Sequence, residues 1–172
     1  DSLIFVVAGA ASYGGKAGVG ASVAYNEIKN ETTAMITGSE LDLDGNLLLE
    51  AGNSGYIFAV VASFGVGGDG SYVGASGTVA INLLESIIES AIINSNYPEK
   101  DERSSGNVTL RATNGSEIFT IAGAIGGAEK AGLGAAVAWN EIDGRVSAYI
   151  SGSQLDSAGT GRLNALHEAE IW

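Results

Sequence analysis

Short blocks of apolar and polar residues recur along the chain and predict an all-β protein. Residues 3–8 form an almost unbroken β-branched and aromatic run, and similar runs follow at 56–62 and 117–122. Such runs are typical of strands that are covered on both faces. Residues 17–26 then alternate Gly and Ala with Val and Tyr. Neither face of this segment carries a charge, so we expect both faces to be covered.

Two further strands are predicted in each unit, which gives about four strands per unit. The third strand is assigned to residues 32–37, 89–94 and 146–151, and the fourth to 46–51, 107–112 and 162–169. Three isoleucines of the third strand recur at a constant interval and define its alignment: Ile36, Ile93 and Ile150. Turn residues are expected to separate the strands. They are Asp44-Gly45, Asn53-Ser54-Gly55, Ser105-Gly106, Asn114-Gly115 and Asp143-Gly144.

Residues 83–93 allow two interpretations. Their apolar residues recur at helical spacing, so the segment alone predicts an amphipathic helix. Aligned with residues 27–36, the same segment is a bend and a strand with one extra residue. We favour the strand, because tertiary context overrides weak helix propensity.

The chain repeats itself three times and begins a fourth copy. Residues 16–28 return at 130–142 with ten of thirteen positions identical, and a diverged middle copy lies at 74–82. An Ile-Phe pair opens each unit, and Ile171-Trp172 fits the same slot. The units are approximately residues 3–55, 56–116 and 117–169, with a fourth starting at 170–172.

Repeats of this kind predict a stacked, quasi-one-dimensional architecture. We therefore expect a single repeat domain over residues 1–172, folded as a β-solenoid and most simply as a parallel β-helix. Stacked β-sandwich or β-prism repeats are the alternative, because a unit of about 53–61 residues is long for one coil. An array cut in phase at both ends is expected to be a section of something longer.

Composition narrows the classes of partner. The net charge is −12 and no basic patch is visible, so we expect no nucleic-acid partner and no adsorption to anionic lipid. The longest apolar run, at residues 57–66, is too short for a transmembrane helix, so no direct membrane insertion is expected. The chain has 26 Gly and no Cys. Disulfides and thiolate metal sites are excluded, and closely packed sheets are indicated.

The repeats also resemble a known class of protein. The residues that carry the resemblance are the Ile-Phe pair, Gly-Lys-Ala-Gly-Val-Gly-Ala-Ser-Val-Ala-Tyr-Asn-Glu-Ile at 15–28, Thr-Thr-Ala-Met-Ile at 32–36 and Gly-Asn-Leu-Leu-Leu-Glu-Ala at 45–51. They are similar to repeats of very large bacterial surface exoproteins, leukotoxin-like and filamentous-haemagglutinin-like. The resemblance implies a β-solenoid stalk, a cell-surface or secreted location, and adhesion. It supplies no catalytic residues, and the middle copy departs from it at residues 68–72.

Three rows of equivalent residues are candidate structural ladders. Asn26, Asn82 and Asn140 hold the same slot, and a buried ladder of stacked amides is favoured over a row of glycan-binding amides. The aromatic row lies within apolar strands, so core stacking is favoured over a sugar platform; its members are Phe5, Phe58, Phe119 and Trp172. Tyr25, Ile81 and Trp139 form a second row that is also assigned to the core.

Two loops carry candidate binding chemistry. Glu40, Asp42 and Asp44 alternate with leucines and could hold Ca²⁺, the one cofactor considered, although a solvated polar face is the favoured interpretation. Residues 94–106 are the one clear insertion, and inserted loops commonly carry specificity. Its candidate binding residues are Tyr97, Glu99, Lys100, Asp101, Glu102 and Arg103.

Catalysis finds little support in the sequence. His167 is the only His and the chain has no Cys, so a thiol protease or a metal site with more than one His ligand cannot be assembled. We expect a non-catalytic structural or adhesive segment of a bacterial cell-surface or secreted filament. A self-assembling fibre subunit that polymerises through terminal strands 3–8 and 166–172 is the alternative. A glycan-binding or glycan-degrading β-helix is third. The expected partners are neighbouring repeats, in the same chain or in an identical chain stacked head to tail. A host protein or a glycan is a further expected partner.

Overall fold

The computed structural model describes residues 1–41, 45–70, 72–96, 106–154 and 159–172. Within these residues the chain forms seven long strands and is all-β, as the apolar pattern predicts. The strands are β1 (Ser2–Gly14), β2 (Ala17–Thr37), β3 (Leu47–Gly67), β4 (Val73–Ile93), β5 (Val108–Gly127), β6 (Gly132–Ser151) and β7 (Gly161–Ile171).

The strands alternate between two parallel sheets. The odd sheet has the order β1-β3-β5-β7 and the even sheet has the order β2-β4-β6. Every pair of neighbours is parallel. The chain therefore winds from one sheet to the other and back, one rung further along at each coil. This arrangement confirms the predicted β-solenoid and gives it two flat sides.

Each coil has two long strands, so the prediction of four strands per unit is wrong. The Gly/Ala-rich strand and the third strand of the first unit are one continuous strand, β2. The fourth strand of that unit runs directly into the first strand of the next, as β3. The predicted turns at 53–55, 114–115 and 143–144 lie inside strands. Parallel neighbours on the ladder supply hydrogen bonds to extended Asn and Gly there, and this tertiary context overrides their turn preference.

The register of the odd sheet reproduces the repeat lengths of the sequence. Phe5 pairs with Phe58, the same separation of 53 that joins Asp1 to Ser54. Phe58 pairs with Phe119, the same separation of 61 that joins Asn53 to Asn114. The pairing of Ile118 with Ile171 is again a step of 53.

The even sheet steps differently, and this corrects one alignment. Residues 83–93 lie within β4 as a strand, and no extra residue interrupts its pairing with β2. Ile36 pairs with Ile92, which pairs with Ile150, in steps of 56 and 58. Ile93 pairs with Thr37 instead and faces outward. The predicted constant interval between Ile36, Ile93 and Ile150 is therefore wrong by one residue. In a strand, a shift of one residue moves a side chain to the opposite face of the sheet.

The space between the sheets narrows from one side of the coil to the other. Large aliphatic residues fill the wide side, in one cluster around Ile92 and Leu110 and a second around Ile57 and Leu84. Further along, the buried side chains shrink to Ala24, Val61 and Ala80. We call the narrow side the glycine half and the rest of the strands the core half. The glycine half comprises residues 5–14, 17–25, 58–67, 73–81, 119–127 and 132–139.

Glycine allows the two backbones to touch in the glycine half. A Cβ on Gly18 would overlap the carbonyl oxygen of Val66, and a Cβ on Gly65 would overlap that of Ala75. With so little room inside, the larger apolar residues of the alternation point outward. Val19 is 68% exposed and Val23 is 71% exposed. The expectation that both faces of this segment are covered is therefore wrong for the chain as described.

Candidate functional site

A buried row of amides runs along the solenoid axis between the sheets. Asn26 Nδ2 donates to Asn82 Oδ1 at 2.7 Å, and Asn82 Nδ2 donates to Asn140 Oδ1 at 2.8 Å. Thr120, from the odd sheet, accepts from Asn82 Nδ2 and donates to Asn140 Oδ1. Asn82 has no exposed surface. The row thus links three coils along the axis and both sheets across it.

A second row of buried amides, Asn53 and Asn114, was missed in the sequence because the neighbouring residues resemble turn sequences. Asn53 Nδ2 lies 3.4 Å from Ser86 Oγ and 3.5 Å from Asn114 Oδ1, and Ser116 Oγ donates to the same oxygen. Both asparagines are buried. Their spacing matches the repeat and was the available signal, but Asn-Ser-Gly and Asn-Gly-Ser predict turns when taken locally.

Corner residues also repeat along the axis. The backbone has positive φ at the equivalent positions Gly38, Asn94 and Gly152, with values of 58°, 48° and 59°. The serine that follows each one belongs to a row in which Ser39 N donates to Ser95 Oγ and Ser95 N to Ser153 Oγ. Left-handed backbone favours Gly and is tolerated by Asn, so these residues fix where each even strand ends.

The predicted phenylalanine row forms a stack, but it lies on the outer face. The Phe5 and Phe58 rings lie 4.9 Å apart and the Phe58 and Phe119 rings 5.1 Å apart, nearly parallel in both cases. Phe5 is 66% exposed. Assigning this row to the core was wrong. Each phenylalanine follows an isoleucine that takes the inward position, and Ile57 and Ile118 have no exposed surface.

The row of Tyr25, Ile81 and Trp139 is likewise outside rather than in the core. Tyr25 is 57% exposed and Trp139 is 61% exposed. The Tyr25 hydroxyl donates to Glu27 at 3.1 Å, and Trp139 Nε1 donates to Glu141 at 3.3 Å. These aromatics stand at the border between the apolar outer face of the glycine half and the charged outer face of the core half.

A shallow depression of about 260 Å³ lies in that charged surface, lined in part by Glu27, Glu85, Glu141 and Asp143. Lys29 Nζ lies 2.8 Å from Glu27, and its hydrogen bond, with a second from Tyr25, lowers the pKa of the Glu27 carboxyl. A general acid for glycoside hydrolysis needs a raised pKa. The direction at Glu27 is the opposite.

The acidic loop and the inserted loop lie mostly beyond the described residues. Glu40 forms an isolated bridge with Asn96, while Asp42 and Asp44 are outside the described ranges. In the part of the chain that the structure describes, no cluster of three or more His, Asp or Glu could hold a metal ion. Residues 97–105 also fall outside, including the candidates Tyr97, Glu99, Lys100, Asp101, Glu102 and Arg103.

The two ends of the solenoid present open sheet edges. β1 and β2 each pair with a strand on one side, and so do β6 and β7. Beyond Ile118, only Trp172 continues the last rung on β5, through hydrogen bonds to Ile118 and Thr120. Unpaired edges are templates for another strand. The edge strands and the outer apolar face are where the described residues present unpaired backbone groups and uncovered apolar side chains.

No helix in the described ranges is long and apolar enough to cross a membrane. Comparisons of the chain with family models, with curated proteins and with solved structures give no match. The solenoid geometry and the rows of residues that it builds are therefore the basis for assigning a function.

Proposed function

We propose that this chain is a structural and adhesive segment of a bacterial cell-surface or secreted filament, and that it performs no catalysis. The observation that carries the proposal is the continuity of the ladders along one axis. Four odd strands and three even strands stack in parallel register, and the Asn26, Asn82 and Asn140 amides bond along the same direction. Each repeat of the sequence adds one coil and lengthens the solenoid, and the repeats do not converge on a single binding cleft.

Rigidity follows from the direction of these bonds. Backbone hydrogen bonds in a solenoid run along its axis, so each added coil contacts the one before it through two long strands, as β4 and β6 do. The buried amide rows add side-chain hydrogen bonds in the same direction. These rows also oppose slippage of one coil against the next, because slippage would leave buried polar groups without hydrogen-bond partners.

Adhesion is assigned to the lateral surfaces. The net charge of −12 favours basic protein partners. Residues 94–106, the one clear insertion in the repeat, contain aromatic and charged residues and are assigned the contact with a protein or glycan partner.

Location is tested first, with an antibody raised against the purified chain. Labelling of intact cells of the source organism, or recovery of the antigen from the medium, is expected. Antigen that becomes accessible only after lysis would reject a surface or secreted filament. Binding to immobilised basic matrix proteins and neutral glycans then tests adhesion. A turnover assay on the same glycans tests the non-catalytic assignment.

A second candidate function is a fibre subunit that polymerises end to end. The observation that favours it is the open edge at both ends, β1 with β2 and β6 with β7. Electron microscopy of the purified chain would then show fibres that elongate along the solenoid axis, with a repeat of about 4.8 Å between strands. A chain that never elongates along this axis at high concentration would reject the polymer.

A further inference from the structure

The outer face of the odd sheet carries an exposed apolar patch across the glycine half. Phe5, Val7 and Tyr13 are 66%, 69% and 77% exposed, and Ile121 and Ile125 are 52% and 59% exposed. No charged residue occurs in the three strand segments that form this patch, residues 5–14, 58–67 and 119–127. Single exposed apolar residues are ordinary, but a continuous patch marks a surface that another molecule covers.

The surface of the patch consists of rows of side chains that run along the solenoid axis, and one of these rows forms a groove. The groove row consists of small residues, and a Cβ added to its last member, Gly123, would meet nothing within 4 Å. A continuous row of larger residues borders it on one side, and Phe64 and Ile125 border it on the other, where Ala11 leaves the β1 position low. The groove is Gly9–Ala62–Gly123, one border is Val7–Val60–Ile121, and the other is Ala11–Phe64–Ile125. Rows on one face repeat about every 6.6 Å, so the groove has the width of one row of side chains.

We propose that a second copy of this chain covers the patch, face to face. A two-fold axis parallel to the solenoid axis, between the Val60 row and the Ala62 row, places each valine row in the other copy's groove. Both rows are continuous over β1, β3 and β5, so the fit is repeated at three rungs. Flat sheets that interdigitate in this way pack about 10 Å apart. The pairing is lateral, and it does not depend on what the open ends bind.

The dimensions of the patch suit a modest dimer. Ten residues along the strand span roughly 33 Å, and three strands span roughly 14 Å, which gives a flat area of about 460 Å² per copy. The two copies together would bury about 900 Å² if both faces were flat. Side-chain relief adds to this area and brings it close to the roughly 1,000 Å² that a specific interface requires. The odd face is favoured over the even face because its groove contains two glycines, Gly9 and Gly123, whereas the even groove, Ala21–Gly77–Ala135, contains one.

A lipid bilayer fits the patch less well. The unpaired edge of β1, which borders the patch, would place backbone groups without hydrogen-bond partners in hydrocarbon. The turns at the end of the glycine half also carry charges, at Lys16, Asp69, Glu129 and Lys130. A second copy buries the same apolar surface and leaves the edges and these charges in water.

The first test fills the groove. Gly123→Val adds a side chain where the structure leaves open space, so the fold is expected to persist while docking is blocked. Gly115→Val is the matched control, because it is also an outward glycine of β5 with open space, but in the core half. Sedimentation should show a dimer for the wild type and the control, and at least a tenfold weaker dimer for Gly123→Val.

The second test identifies the face, using the absence of native Cys. An equimolar mixture of Val60→Cys and Ala62→Cys chains should be joined by a short thiol-reactive crosslinker that spans the separation of about 10 Å between facing sheets. End-to-end stacking would hold these sites at least three rungs, or about 14 Å, apart, which is beyond the span of that crosslinker. Gly115→Cys chains should remain uncrosslinked.

Three outcomes would overturn the proposal. They are a strictly monomeric wild type, a Gly123→Val variant that dimerises as the wild type does, and crosslinking through Gly77→Cys on the even face in place of the Val60 and Ala62 sites. Flotation with phosphatidylcholine vesicles provides the other comparison. Vesicle binding that Gly123→Val abolishes, without any dimer in solution, would assign the patch to a bilayer instead.

Discussion

Polar residues inside this solenoid lie in rows, and one residue type tends to recur at one register position. The Asn26–Asn82–Asn140 row works because a primary amide has donors and acceptors on one group, so identical side chains can bond to each other in series. Serine and threonine tie the rows to the opposite sheet, as Thr120 does. Such partners offset the cost of burying polar groups, although they are not complete: Ser76 Oγ and Asn114 Nδ2 are buried without a hydrogen bond.

The central amide should therefore be the costliest polar residue to remove. Asn82→Ala eliminates hydrogen bonds to Asn26, Asn140 and Thr120 and leaves their polar atoms buried. We expect a loss of about 2–4 kcal/mol in the free energy of unfolding, measured by urea denaturation. Asn164→Ala, at an exposed position of β7, is the control and should change this free energy by less than about 0.5 kcal/mol. Equal effects of the two substitutions would show that the amide row is dispensable.

The charged surface offers a residue-scale test of the Glu27 environment. The Lys29 and Tyr25 hydrogen bonds lower the pKa of the Glu27 carboxyl, so its contribution to stability is present above the ordinary carboxyl pKa and is lost as pH falls through the lowered value. Carbon-detected NMR titration should find the Glu27 pKa below that of an unpaired Glu. In the Lys29→Gln variant the pKa should rise. An unchanged pKa in that variant would contradict the pairing.

At the scale of the element, the two halves of a strand differ in which residues of the alternating pattern point into the space between the sheets. In the core half, β2 buries Ile28 and exposes Glu27 and Lys29, which is the usual arrangement. In the glycine half the same strand buries Gly18 and Gly20 and exposes Val19. The sequence predicted the all-β class and the alternation along β2 correctly, but it divided each long strand into two. It did not show that glycine is the inward residue, because an apolar residue is ordinarily expected inside.

Two glycines of β4 should therefore respond oppositely to one methyl group. Gly74 is inward, and its Cβ would overlap the carbonyl oxygen of Gly127; Gly77 is outward, with nothing within 4 Å. Gly74→Ala should lower the free energy of unfolding by more than about 3 kcal/mol or prevent folding, since backbone cannot yield as a side chain does. Gly77→Ala should be neutral or stabilising by up to about 1 kcal/mol, through the unfolded chain. Urea denaturation followed by circular dichroism measures both. Comparable losses would mean that the sheets do not touch at Gly74.

At the scale of the whole molecule, the solenoid is a row of coupled coils rather than a closed core. Its most buried strand residues lie on β3, β4 and β5, which have a neighbouring strand on both sides. The free energy of unfolding of such arrays is approximately a sum over repeats and over the interfaces between them. The length of the array should therefore control its stability.

Adding one coil should stabilise the chain. A second copy of residues 56–116 inserted after Ser116 preserves the register step between β3 and β5 and adds one strand to each sheet. Both the urea m-value and the free energy of unfolding should increase, since more surface is buried on folding. The same segment inserted after Gly70 breaks the alternation between sheets and should destabilise the chain. An in-phase insertion that leaves both quantities unchanged would contradict the nearest-neighbour coupling of the coils.

The sequence by itself determined the repeat lengths of the odd sheet, the all-β class and most of the groups of residues that hold equivalent positions in successive coils. These follow from the period of the repeats and the spacing of residues within them, which can be read from the chain without its fold. Only the tertiary structure decided that two predicted strands merge into one, that Ile92 rather than Ile93 lies inside, and that the aromatic rows face outward. The physical reason is that alternation defines two faces without saying which one meets the other sheet. That choice depends on how closely the sheets approach, and here the glycines allow backbone contact on one side of the coil.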